Sequence, residues 1–252
     1  MPTNDHIVKS FDVELDDLSA KLVQMGGMVE AELQEAIAAF QQRNTRRAEQ
    51  VIAADVKVDQ LYEAVDQQVV RMLALRQPMA SDLRRIVSSL RISSDLERVG
   101  DYAANVAKRT IALNQVQMIR PQSGIPALGR LVQELLKEIL DAMADNDPAK
   151  CLDVRARDEH VDELYNSVFR ELLTYMMEDP RNITATTHIL FIAKNLERIG
   201  DHATNIAETL HYAITGVPLR EARPKSDVTS LTLVDPGTGD TIVAGRADGD
   251  KP

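Results

Sequence analysis

The residues best placed to do chemistry are eight carboxylates in four i, i+4 pairs: Asp55/Asp59, Glu97/Asp101, Asp158/Asp162 and Glu197/Asp201. On a helix, a spacing of four stacks two side chains on one face, one turn apart. The pairs are also matched across chain breaks. Asp59 and Glu97 each lie 19 residues from Pro78, and Asp55 and Asp101 each lie 23 from it. Around Asp179-Pro180, Asp162 matches Glu197 and Asp158 matches Asp201 in the same way. If each break is a helix-to-helix turn, four carboxylates meet at one level in each half. As bare anions they repel, and a hard cation bound by oxygen donors removes that cost. Mg, Ca, Mn, Fe and Zn all stay open as the ion, because such a donor set discriminates weakly. The competing reading is a solvated acidic face with Arg98 and Arg198 as counter-charges. Recurrence of the arrangement in both halves favours the metal. Ile192, Leu196, Ile199, Ala203 and Leu210 define an apolar face from which Glu197 and Asp201 point away, whereas Asp55 flanks the Val51/Val58/Tyr62/Val65/Val69 stripe. The expected site is therefore a solvent-accessible groove between two helices.

Other candidates are weaker. Glu208 and His211 form an ExxH pair, but the first half has Lys108 and Ile111 at those positions, and a di-iron bundle needs the motif twice. Cys151 aligns with Ala48 and reads as a packing residue. No GxxxxGK(S/T), GxGxxG or GxSxG motif is present, so nothing points to nucleotide hydrolysis or acyl transfer. Gly26-Gly27 interrupts an apolar helix, consistent with close helix approach, a kink or a partner contact.

The elements that must position these residues are helices. Apolar periodicity of 3.6 predicts six of them, over about 5–42, 45–76, 80–114, 127–145, 148–177 and 183–214. Asp147-Pro148 supplies an N-cap followed by proline at the first helical position. The halves repeat. Leu96-Glu-Arg-Val-Gly-Asp-Tyr-Ala-Ala-Asn-Val-Ala107 and Leu196-Glu-Arg-Ile-Gly-Asp-His-Ala-Thr-Asn-Ile-Ala207 share eight of twelve positions, and Val58–Tyr62 matches Val161–Tyr165. The expected fold class is all-α: two tandem three-helix bundles, elongated, with a non-helical C-terminal tail. The domains are read as 1–118, 119–216 and a flexible tail over 217–252. In that tail, runs at 231–234 and 241–243 could pair as a small hairpin, which alone is marginal in water.

Composition bounds the function. A net charge of -10 argues against general nucleic-acid binding. Trp is absent and aromatics make up 4%, so the core must be aliphatic. One cysteine excludes a disulfide framework and suggests a reducing compartment. Neither a signal peptide nor a run long enough to span a membrane is seen, so a cytoplasmic location is expected.

Several segments together resemble the PhoU family: Met25-Gly-Gly-Met-Val-Glu30, Arg76-Gln-Pro78, Ser81-Asp-Leu-Arg84, Thr174–Asp179 and the two Leu-Glu-Arg-(Val/Ile)-Gly-Asp copies. The resemblance covers about residues 5–216. It implies a non-enzymatic negative regulator of phosphate uptake and of the phosphate-starvation response. The implied partners are the ATPase subunit of the Pst phosphate ABC transporter (PstB-like), a PhoR-like sensor histidine kinase and a second copy of the chain. The resemblance also implies metal clusters at E(D)xxxD motifs, which map onto Glu97, Asp101, Glu197 and Asp201, with Asp55, Asp59, Asp158 and Asp162 facing them. A metal-dependent hydrolase or oxidase is the alternative. Against it, no histidine completes either cluster.

Overall fold

Helix boundaries fall where the sequence supplies caps. In the computed structural model, residues 4–116, 124–219, 229, 232–234 and 241–243 are described, with side chains from residue 11 to 116, 124 to 219 and at 229. The helices are α1 (Asn4–Gln42), α2 (Thr45–Arg76), α3 (Ala80–Leu113), α4 (Gly124–Asp145), α5 (Pro148–Ala156), α6 (Asp158–Glu178) and α7 (Ile183–Thr215), with a 3₁₀ turn at Pro180–Asn182. The α1–α2 and α4–α5 corners are built alike. Arg43 (φ 50°) and Asn146 (φ 53°) are both left-handed. The next amide in each corner bonds five residues back, Asn44 N to Ala39 O and Asp147 N to Ala142 O. This is a Schellman closure. The same Asn44 and Asp147 then cap the following helix, Asn44 Oδ1 accepting from Arg47 N and Asp147 Oδ1 from Ala149 N and Lys150 N.

The helix expected over 148–177 is divided at Arg157. There the amide reaches back to both Asp153 O and Val154 O, and His160 N bonds Arg157 O, so the ladder tightens to i, i+3. The Arg157 guanidinium is held by Glu138 and Glu134 of α4, a tertiary tie that periodicity does not reveal. In the tail, Thr232–Val234 (β1) pairs antiparallel with Thr241–Val243 (β2), Leu233 opposite Ile242. The region expected to be a flexible tail thus contains the hairpin. Residues 220–228, 230, 231, 235–240 and 244–252 of it lie outside the described residues.

The core is aliphatic, as the composition requires: Leu18, Met25, Leu33, Leu96, Leu128, Leu135, Ile139, Ile189 and Ile192 are among its fully buried side chains. Gly26 and Gly129 occupy corresponding positions on α1 and α4. A Cβ on Gly26 would meet Leu140 Cδ2 at 2.4 Å, and one on Gly129 would meet Ile37 Cδ1 at 3.0 Å. Each glycine admits the other helix. A Cβ on Gly27 would meet nothing. The halves join chiefly through α3 and α7, the most extensive helix pair. Their contacts step antiparallel: Arg84 with Ala213 and Tyr212, Asp95 with His202, Tyr102 with Arg198, Arg109 with His188 and Phe191. None of the described helices is long and apolar enough to cross a membrane.

Asp147→Ala removes an acceptor for two amides and is expected to cost about 1 kcal/mol, read as a lower urea midpoint at unchanged m-value. Leu196→Ala, which empties a fully buried position, is expected to cost about 2–5 kcal/mol by the same measurement.

Candidate metal centre

In the first half the turn at Gln77-Pro78 brings α2 back against α3, with Asp55, Asp59, Glu97 and Asp101 near enough for their charges to act on one another. Asp55 feels the charges of Asp59, Asp101 and Glu97, and Glu97 those of Asp101 and Asp59. Asp59 is exposed, and Asp55, Glu97 and Asp101 are half-buried. Arg98 is the local counter-charge, its Nη1 3.1 Å from Asp101 Oδ2 and its Nε 3.5 Å from Glu97 Oε2. A fifth carboxylate joins them. Glu32 of α1 is 4% exposed, and neither of its carboxylate oxygens has a hydrogen-bond partner; Asp55 Oδ1 is likewise buried and unbonded. Gly100 of the Leu-Glu-Arg-Val-Gly-Asp motif makes the convergence feasible. A Cβ there would lie 2.9 Å from Asp55 Oδ1 and 3.4 Å from Glu32 Oε2.

Glu32 has a sequence signature that the i, i+4 search could not detect. Met25, Val29, Ala36 and Ala39 are buried, and Glu32 falls on the same stripe, at the i+7 position from Met25. A lone charge on the apolar face of a helix is the informative exception.

The physical consequence is a cluster that Arg98 and Lys108 compensate only in part. Burial, then the charges of Asp55 and Asp59, push Glu32 up to about 8. Burial, then Asp59 and Asp101, push Asp55 up to about 6, with Lys108 acting the other way. Glu97 is also raised, by burial first and Asp101 second.

The second half carries the same motif with different surroundings. Asp158, Asp162 and Glu197 are all buried, at 2%, 3% and 4% exposure, and Asp201 is half-buried. This corrects the expectation that Glu197 projects away from the core into an open groove. A bundle helix is covered on more than one side. The flank of α7 beside its apolar stripe is covered by α6, close enough that a Cβ on Gly200 would meet Val161 Cγ1 at 3.2 Å. Lys194 Nζ sits 2.9 Å from Glu197 Oε1 and 4.9 Å from the centre of the Tyr165 ring. Thr204 Oγ1 donates to Asp158 Oδ1 at 3.1 Å. The first half has Ser94 and Ala104 at the positions of Lys194 and Thr204, and the second has Leu135 at that of Glu32. Arg198, expected as a counter-charge, has its guanidinium over the Tyr102 ring at 5.5 Å.

Chemistry separates the two sets. Buried oxygens without donors suit a cation, and the first half has three of them, on Glu32 and Asp55, against one in the second, Glu197 Oε2; there an ammonium already meets Glu197 Oε1 and a hydroxyl Asp158. Among the described residues, no three acidic, histidine or cysteine side chains converge closely enough to hold a metal ion as they stand. Closure on a cation in the first half therefore needs rotation of the more exposed Asp59, Glu97 and Asp101. The remaining candidates are structural. Glu208 pairs with Arg155 at 2.9 Å. Burial raises the Cys151 thiol to about 11, away from thiolate chemistry.

The raised carboxyls tie stability to pH. In chelator, native Glu32 and Asp55 keep their protons where the unfolded chain has released its own, so rising pH favours unfolding. Stability is expected to fall between about pH 4 and 8, with Glu32 contributing on the order of 2–4 kcal/mol. Urea midpoints at pH 5, 6, 7 and 8 check this. Glu32→Gln should flatten most of the slope, and an unchanged slope would contradict the assignment.

A family model described as "PhoU domain" matches residues 22–110 and 125–210. The "Phosphate-specific transport system accessory protein PhoU homolog" of Caulobacter vibrioides is 49% identical over 90% of this chain and 99% of the relative. The Rhizobium meliloti protein of the same description is 48% identical over 89% and 95%. Among solved structures, PhoU from Pseudomonas aeruginosa superposes with a TM-score of 0.80 at 42% identity, covering 82% of this chain and all of that one. The phosphate transport system regulatory protein PhoU from Streptococcus pneumoniae gives 0.76 at 30%, covering 84% and all of that chain. With that model over most of the helical part and relatives near half identical over about nine-tenths of its length, the chain belongs to the PhoU family.

Proposed function

We propose that this chain is a non-enzymatic accessory protein of phosphate-specific transport that restrains the phosphate-starvation response, linking a Pst-type transporter ATPase to a sensor histidine kinase in the cytoplasm. The observation that carries the regulatory part is end-to-end relatedness: the chain covers 99% of a relative described as a transport accessory protein. Each three-helix repeat, about 1–118 and 119–216, contributes one acidic hairpin, and homodimerisation would double that surface.

The metal part of the reading is confined to the first half. Glu32, Asp55, Asp59, Glu97 and Asp101 would hold a hard cation. The support is the set of buried, unbonded oxygens on Glu32 and Asp55. A bound cation would supply positive charge to the buried Glu32 and Asp55 oxygens, which Arg98 of α3 leaves without a donor, and so join α1, α2 and α3; binding only the folded state stabilises it by RT ln(1+[L]/Kd). In the second half, Lys194 gives Glu197 Oε1 a cation and Thr204 gives Asp158 a hydroxyl donor.

Protein purified without chelator should carry metal by elemental analysis. Glu97→Ala with Asp101→Ala should lower its content and its Tm, whereas Asp162→Asn with Asp201→Asn should leave metal content unchanged. Equal loss in both variants would remove the asymmetry. In the host, deleting the gene should release phosphatase expression in phosphate-rich medium; continued repression would refute the regulatory reading.

A further inference from the structure

A cavity of about 350 Å³ lies where the halves meet, walled by α1, α3, the end of α4 and the end of α7. Its α3 wall is one helix stripe, Ser81, Arg84, Arg85, Ser88, Ser89 and Ile92. At two positions the stripe is polar where its counterpart on α7 is core: Ala185 and Ile189, at the positions of Arg85 and Ser89, are buried. In a chain of net charge -10, no carboxylate among the described residues lines this cavity and two guanidinium groups do.

The repeat explains why the space is open. At the corresponding point of the other half, Arg43 leaves its left-handed corner and fills the gap. Its Nη2 donates to Leu113 O at 2.8 Å and its Nε to Asn114 Oδ1 at 3.3 Å. At the cavity, Asn146 holds the position of Arg43 with nearly the same φ, and Ala213 and Ile214 hold those of Leu113 and Asn114. The short Asn146 side chain lines the cavity.

We infer that this cavity is a binding site for a small phosphate monoester, held at its head by Arg84, Arg85, Ser81, Ser88 and Asn146. Arg84 is pre-set: Nε is bonded to Ala213 O at 3.2 Å and the guanidinium lies 5.8 Å from the Tyr212 ring centre. Arg85 is exposed, with a freely placed fork for phosphate oxygens. Ser81 lies in the first turn of α3, where the helix N-terminus favours an anion. Ser19 and Ser89 donate to the carbonyls of Leu15 and Arg85, so they add acceptors rather than donors. The volume exceeds that of a bare phosphate, and Leu22, Ile92 and Leu210 offer an apolar wall for the organic part. The site shares no residue with the carboxylate cluster.

Titration calorimetry of the full chain at low ionic strength tests this with phenyl phosphate, inorganic phosphate and sulfate. Phenyl phosphate should saturate one site, with inorganic phosphate and sulfate weaker by tenfold or more. Arg85→Ala should weaken phenyl phosphate about tenfold. Asn146→Arg should abolish binding by filling the cavity as Arg43 fills its counterpart, in a protein whose helical signal and cooperative melting show it folded. Absence of saturable binding, equal affinity for sulfate, or undiminished binding to the folded Asn146→Arg protein would overturn the inference.

Discussion

The antiparallel pairing of α3 with α7 is the constraint on which the rest depends. Its contacts step evenly from Arg84 against Tyr212 to Arg109 against His188, so the two copies of Leu-Glu-Arg-(Val/Ile)-Gly-Asp cross at the middle of the pair. Small residues on the outer faces of this pair admit the other helices: Gly100 lies against Asp55, Glu32 and Val29, and Gly200 against Val161. With that axis set, each half folds its other helices against it, and the long helices of one half have counterparts in the other.

The counterparts have diverged in a physically coherent way. Three substitutions act together around the carboxylates. The second half gains a cation at Lys194 and a hydroxyl at Thr204, and has Leu135 where the first half buries Glu32. The second half meets its buried acids in part, with Lys194 on Glu197 Oε1 and Thr204 on Asp158 while Glu197 Oε2 stays without a donor; the first leaves both Glu32 oxygens and one of Asp55 without donors. A buried carboxylate without a partner is costly, so such an arrangement implies a proton or a cation. The same logic operates at the corners. Arg43 closes one end of the α3–α7 junction, and Asn146 leaves the other open. Duplication built a symmetric frame, and single side chains then gave its two ends different chemistry.

The sequence by itself determined the helices, the repeat and the matched heights of the acidic pairs. Those rest on local rules: apolar periodicity, caps at Asn44 and Asp147, and proline breaks at Pro78 and Pro180. The four-fold spacing correctly put Asp55, Asp59, Glu97 and Asp101 within electrostatic reach of one another. Only the tertiary structure decided which acids are buried, which have partners and where Arg157 breaks its helix. Glu32 joins the cluster from α1, a helix outside the hairpin that the spacing described. Glu197 is buried because α6 covers it, although its own helix turns it from the apolar stripe. Burial and charge compensation depend on what the neighbouring helices bring, and no single helix encodes its neighbours.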